Sequence, residues 1–170
     1  MLRRMTGSDR PVLIAYDGSL AARQAVANAA EILRSRRIVV VTVWEAGLAY
    51  ATPAMPPDGM SMNPMVDPAV ALSVDRSIHH QAERIAGDGA ALAKSVGFDA
   101  EPLAVPDDGN IAETILDVAR SRNVAAIVVG SRGLSGLRAR LEGSTSKGLL
   151  KHAHVPVIVM HETEEEVRPD

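Results

Sequence analysis

Cysteine is absent from this 170-residue sequence, which excludes disulfides, thiolate metal sites and cysteine nucleophiles together. Aromatic residues are scarce too, at 2% against 46% hydrophobic residues overall, so the core has to be assembled from Ala, Val, Ile and Leu. No apolar run approaches the roughly 20 residues that a membrane-spanning helix needs. The start, MLRRMTGSDR, carries arginines but no apolar stretch behind them that could act as a signal peptide. A basic footprint is also lacking: the net charge of −3 argues against general nucleic-acid binding. The expectation is a cytoplasmic protein with neither a nucleic-acid nor a membrane partner. Its length suits one domain over residues 1–170, with the core at about 10–161.

What is present is a succession of short apolar runs and Ala-rich helical stretches. Pro11 to Tyr16 reads as a buried strand closing in the turn Asp17-Gly18-Ser19, with Ser19 placed to cap a helix. That helix carries Ala22, Ala25, Val26, Ala29, Ile32 and Leu33 at helical spacing. Ile38 to Trp44 is an unbroken β-branched run, so the first elements make a βαβ unit of a parallel sheet covered on both faces. Residues 46–73 break the pattern with five of the ten prolines and four of the seven methionines. They read as a disordered loop, with a lid or partner-binding surface as the alternative. Ser73 to Val96 returns to helical spacing through Val74, Ile78, Ala82, Ile85, Leu92 and Val96, with Gly97 as its C-cap. Phe98 to Val105 is a third strand, and Pro102 within it, unable to donate a ladder hydrogen bond, assigns it to a sheet edge. Asn110 with Glu113 has the form of a capping box for the next helix. Ala125 to Val129, Thr145 to Ala153 and Val155 to Met160 supply the fourth strand, the last helix and the fifth strand, before an acidic tail at 162–170.

This order predicts a doubly wound α/β fold whose five-stranded parallel sheet runs 3-2-1-4-5 with helices on both faces. Ligands of such sheets bind beyond the carboxyl ends of the strands, where the strand order reverses. Here that point lies between strands 1 and 4, which end in Asp17-Gly18-Ser19 and Gly130-Ser131-Arg132-Gly133. Gly130 and Gly133 would let backbone N–H groups approach an anion closely. Gly143-Ser144 opens the last helix, where the helix dipole favours negative charge. Ser144, Thr145 and Ser146 add hydroxyl donors, and Arg132, Arg138, Arg140 and Lys147 add positive charge. Neither GxxxxGK[ST] nor GxGxxG occurs; Gly87-Asp88-Gly89 falls inside a helix. Turns alone remain the competing explanation of these glycines. The histidines His79-His80 and His152-x-His154 show no carboxylate at a convincing metal-site spacing.

The spacing Gly130-x2-Gly133-x9-Gly143-Ser144, together with VLIAYDGS, VVGSRG, Gly109-Asn110 and GSTSKGLLKHAHVPVIVM, resembles the universal stress protein family over about residues 10–160. The resemblance implies an adenine nucleotide alpha-hydrolase-like fold and the nucleotide-binding branch that carries G-x2-G-x9-G-[ST]. Its ligand would be ATP, AMP or cyclic AMP. It places Asp17 by the ribose and phosphates, directly or through Mg²⁺, Val43 beside the adenine through its backbone, and Ala15 on the same wall. It sets Gly130 against the ribose and Arg132, Gly133, Gly143, Ser144 and Thr145 around the phosphates. It also implies a homodimer pairing strand 155–160, which would cover an apolar edge. Glu142, where the family has an apolar residue, would repel phosphate or help hold Mg²⁺. Lys147-Gly148 is a second departure, since glycine weakens a short helix. The function implied is regulatory nucleotide binding in stress response, the alternatives being slow ATP hydrolysis or a nucleotide-free dimeric interaction module.

Overall fold

The computed structural model describes residues 10–33, 36–46, 68–107, 109–130 and 144–160. In chain order the elements are β1 (Val12–Ala15), α1 (Leu20–Ile32), β2 (Arg37–Glu45), α2 (Pro68–Ser95), β3 (Asp99–Asp107), α3 (Ile111–Ser121), β4 (Ala126–Gly130), α4 (Ser144–His152) and β5 (Val157–Met160). The strands form one parallel sheet in the order β3-β2-β1-β4-β5. The expected doubly wound α/β architecture is therefore present, with β3 at one edge as Pro102 requires. Among the described residues no helix is long and apolar enough to cross a membrane.

Strand alternation divides the core in two. Val12, Ile14 and Tyr16 point toward α1 and α2, where they meet Ala22, Ala25, Val26, Ala29, Ala90 and Ala93. Leu13 and Ala15 point the other way, toward Ile115, Leu116 and Ala119 of α3 and Leu149 of α4. The alanine-rich faces let helices lie close to the sheet, which compensates for the shortage of aromatic bulk. Tyr16 and Phe98 are the aromatic members of the cluster on the α1–α2 side, and Tyr16 is the largest fully buried side chain among the described residues. Its ring lies against Gly89, where a Cβ would come within 2.6 Å of a ring carbon. Of the Gly87-Asp88-Gly89 stretch, Gly89 thus has a packing role inside α2.

The caps fall where the sequence puts them. Ser19 Oγ accepts from Ala22 N at 3.1 Å, Asn110 Oδ1 accepts from Ala112 N at 3.0 Å, and Gly97 takes φ +98° after α2. Gly148 also gains a reason. A Cβ there would lie 2.8 Å from the Ala112 Cβ, so the glycine lets α4 cross α3 closely.

Several expectations need correction. Helix α2 begins at Pro68, so 68–73 belongs to the helix; proline is favoured in a first helical turn, where its missing N–H is not needed. The remainder of the expected loop, 47–67, and the tail at 162–170 lie outside the described residues. Strand β2 runs one residue and β3 two residues further than expected, so that their ladder ends at Glu45↔Asp107. Ile32, Val74 and Val96, placed on buried helix faces by periodicity, are exposed; Ile32 is the last residue of α1 and Val96 lies just beyond α2.

Candidate functional site

The carboxyl rim is built by register. Ala15 pairs with Val41 and Ile14 with Val128, so counting two residues on places Asp17 level with Val43 and Tyr16 level with Gly130. The end of β1 is anchored there by two hydrogen bonds: Tyr16 N donates to Val41 O at 2.8 Å, and the buried Thr42 hydroxyl donates to Tyr16 O at 2.8 Å. The chain then turns through Gly18 at φ +79°. Within this turn Asp17 Oδ1 accepts from Ser19 N at 3.0 Å, so one carboxylate oxygen shapes the entry to α1. Asp17 is half-buried at the rim.

Gly130 is buried, and a Cβ on it would stand 3.2 Å from the carbonyl oxygen of Ala21. It therefore admits the first turn of α1 to the end of β4, whatever else it faces. Ala15 is fully buried in the α3–α4 side of the core and Val43 packs half-buried against the same cluster. Trp44, the next residue, lies over α2, its indole stacked on His79 with ring centroids 5.2 Å apart and planes at 25°. The histidine pair does have a carboxylate partner: Glu83 lies 3.6 Å from His79 Nε2 and 3.0 Å from His80 Nδ1. The spacing i+3 and i+4 along a helix supplies it, as an exposed ion pair on α2.

A cavity of about 430 Å³ opens at the rim on the α3–α4 face. It is lined by Glu45 and Asp107 at the ends of β2 and β3, by Asn110 and Glu113 at the start of α3, and by Thr145 and His152 of α4. Asp107 is held in place, its Oδ1 accepting from Gly109 N at 3.0 Å and Thr114 Oγ1 at 3.1 Å. The N-terminal amides of α3 are occupied by their cap, Asn110 Oδ1. What this cavity offers a ligand is a carboxylate-rich wall beside the first turn of α4. Among the described residues no three His, Asp or Glu side chains are grouped so as to hold a metal ion.

Of the predicted site residues, the structure sets Asp17, Val43 and Gly130 along one rim, buries Ala15 beneath it, and turns Thr145 into the adjacent cavity. Arg132, Gly133 and Gly143 lie outside the described residues, and Ser144 is described only as the first residue of α4. Glu45 and Asp107 were not singled out from the sequence, where Glu113 and His152 stand as part of a capping box and of a histidine pair, not as residues of this site. The rule that ligands gather at the carboxyl ends of strands would have flagged the first two, had the strand ends been placed correctly.

Comparison with known proteins agrees with this architecture. A universal stress protein of Mycobacterium tuberculosis is 27% identical over 164 residues, 93% of this chain and 50% of the relative. The chain thus spans about half the length of the curated relatives it matches first. A universal stress protein of Archaeoglobus fulgidus solved in complex with dAMP superposes with a TM-score of 0.58 at 18% identity, covering 90% of this chain and 98% of that one. Another universal stress protein, solved in complex with cAMP, gives a TM-score of 0.58 at 20% identity, covering 91% and 98%. At these identities the likeness speaks to the fold. The sequence model of the universal stress protein family matches residues 10–161, and with that span, the 3-2-1-4-5 sheet and the two-sided helix packing in agreement, this chain belongs to the universal stress protein family.

Proposed function

We propose that this protein binds an adenine nucleotide as a regulatory ligand at the carboxyl rim. The observation that carries the reading is that Asp17 stands level with Val43, and Gly130 one residue short of them, at neighbouring strand ends, with Thr145 of α4 lining the cavity next to this rim. An adenylate spanning that rim would meet the Val43 backbone at its base, the free oxygen of Asp17 at its ribose, and Ser144 and Thr145 with the loop glycines Gly133 and Gly143 at its phosphate, where Arg132 adds charge. The dAMP and cAMP complexes of two proteins of the same fold support an adenine nucleotide as the ligand class. In the cytoplasm, occupancy would bias how the rim presents itself to stress-response partners.

The carboxylates of Glu45, Asp107 and Glu113 in the adjoining cavity disfavour a high density of negative charge. The expected ranking is therefore AMP and cyclic AMP above metal-free ATP, with Mg²⁺ raising the affinity for ATP. Titration calorimetry with the three nucleotides, with and without Mg²⁺, checks the order. Acid extraction of the purified protein followed by nucleotide chromatography identifies any retained ligand. Absence of both binding heat and retained nucleotide would dismiss the reading.

The same reading includes a homodimer. The two sheet edges differ: β3 carries Pro102 and Pro106, which cannot donate ladder hydrogen bonds, while β5 is VIVM without proline. An apolar edge open to pairing is an aggregation hazard unless a partner covers it, and a second copy of β5 is the simplest cover. Sedimentation equilibrium should give twice the 18.0 kDa chain mass, and Ile158→Lys should shift the distribution toward monomer. A monomer at all concentrations would remove the dimer from the proposal.

A further inference from the structure

On the side of the sheet away from the rim cavity, α1 and α2 part over the end of β1. They leave a cleft of about 440 Å³ lined by Tyr16, Arg23, Gln24, Ala27, Asp88 and Leu92. Ala27, Leu92 and the tyrosine ring give it an apolar body. Arg23 on α1 and Asp88 on α2 bring opposite charges to its lining. Gln24 Oε1 is buried and has no hydrogen-bond partner. A buried acceptor left unpaired costs about 1–3 kcal/mol, so the cleft favours an occupant that brings a donor. The Tyr16 phenol is pushed above its ordinary range, by burial first, with Asp88 adding to the shift and Arg23 opposing it. It stays a neutral hydroxyl at physiological pH and can donate.

We propose that this cleft is a second binding site, for a small zwitterion of the α-amino-acid class with an apolar side chain. The ammonium group donates to Gln24 Oε1 and Asp88. The carboxylate meets Arg23 and the Tyr16 hydroxyl, and the side chain lies over Ala27 and Leu92. Neither charge alone satisfies the lining: a cation leaves Arg23 uncompensated, and an anion brings no donor to Gln24. No residue of this cleft is among those assigned to the adenine nucleotide.

The test is a heteronuclear NMR titration of the full chain, free of nucleotide, with L-leucine, L-methionine and L-phenylalanine. N-acetyl-leucine and leucinamide, each lacking one charge, serve as comparisons. At least one of the three amino acids should give saturable shifts at Tyr16, at residues 23–27 and at residues 88–92. Each cap, and each of Arg23→Gln and Asp88→Asn, should weaken binding by roughly tenfold, as expected for loss of a charge-assisted hydrogen bond. Ala27→Leu fills the cleft from an exposed position and should abolish the titration while the thermal midpoint holds. No saturable shift with any of the three up to about 20 mM, beyond the range of weak specific binding, overturns the assignment. So does equal binding of the capped leucines, or unaltered binding to Ala27→Leu. Because no nucleotide is present, failure here leaves the nucleotide reading standing, and failure of that reading leaves this one.

Discussion

Gly89→Val should destabilise the protein by about 2–3 kcal/mol, whereas Gly87→Ala, two residues earlier in the same helix, should stabilise it by about 0.5–1 kcal/mol. Both glycines have ordinary helical backbone, so both substitutions gain from helix propensity and from a less disordered unfolded chain. The difference is what each side chain meets. A Cβ on Gly87 has nothing within 4 Å, while one on Gly89 comes to 2.6, 2.9 and 2.9 Å from three ring carbons of Tyr16. One of those carbons is Cγ, a single bond from the tyrosine Cβ, so the ring cannot slide aside by bending its far end. Relief requires a new χ1 or a shift of β1, and β1 is held by its neighbours on both sides. The valine methyls extend the overlap. In a chain of this size the loss corresponds to roughly 5–10 °C in the thermal midpoint, measurable by calorimetry or circular dichroism. Equal midpoints for the two variants would mean that α2 lies further from Tyr16 than the structure has it.

The contrast between those glycines also shows what the sequence could and could not convey. Local signals were readable. Continuous apolar runs marked the buried strands, Ser19 and Asn110 marked helix starts, and Pro102 marked the sheet edge, because each acts through its own backbone or its immediate neighbours. The glycines were harder. Gly89, Gly130 and Gly148 are each explained by a close approach to Tyr16, Ala21 or Ala112, and such contacts join elements distant in the chain. For Gly130 the sequence suggested a ligand or a turn, whereas packing against α1 is a sufficient cause by itself. The extension of β2 and β3 to Glu45 and Asp107 was hidden for a related reason. Polar residues continue a ladder when their partners are in register, and register belongs to the pair of strands. That concealed the carboxylate wall of the rim cavity, although the location of the rim followed directly from the strand order.

Asp17 is where the nucleotide proposal meets its strictest test, because the residue already has a structural duty. Its Oδ1 accepts from Ser19 N at 3.0 Å, setting the turn from which Ser19 caps α1. Asp17→Ala removes that bond together with the charge, so weaker nucleotide binding in this variant would fit either a disturbed turn or a lost ligand contact. Asp17→Asn separates the two: an amide oxygen can still accept from Ser19 N, but the carboxylate is gone. If the free oxygen receives ribose hydroxyls, both variants should lose adenine-nucleotide affinity by about ten- to a hundredfold, equivalent to roughly 1.5–3 kcal/mol for a hydrogen bond to a charged group. Only the alanine variant should also lose stability, by about 1 kcal/mol. The deficit should be similar for adenosine, AMP and ATP, since the ribose is common to all three. Full affinity in the asparagine variant would assign Asp17 to the turn alone. A deficit that appeared only with ATP and Mg²⁺ would move the carboxylate from the sugar to a metal held by the phosphates.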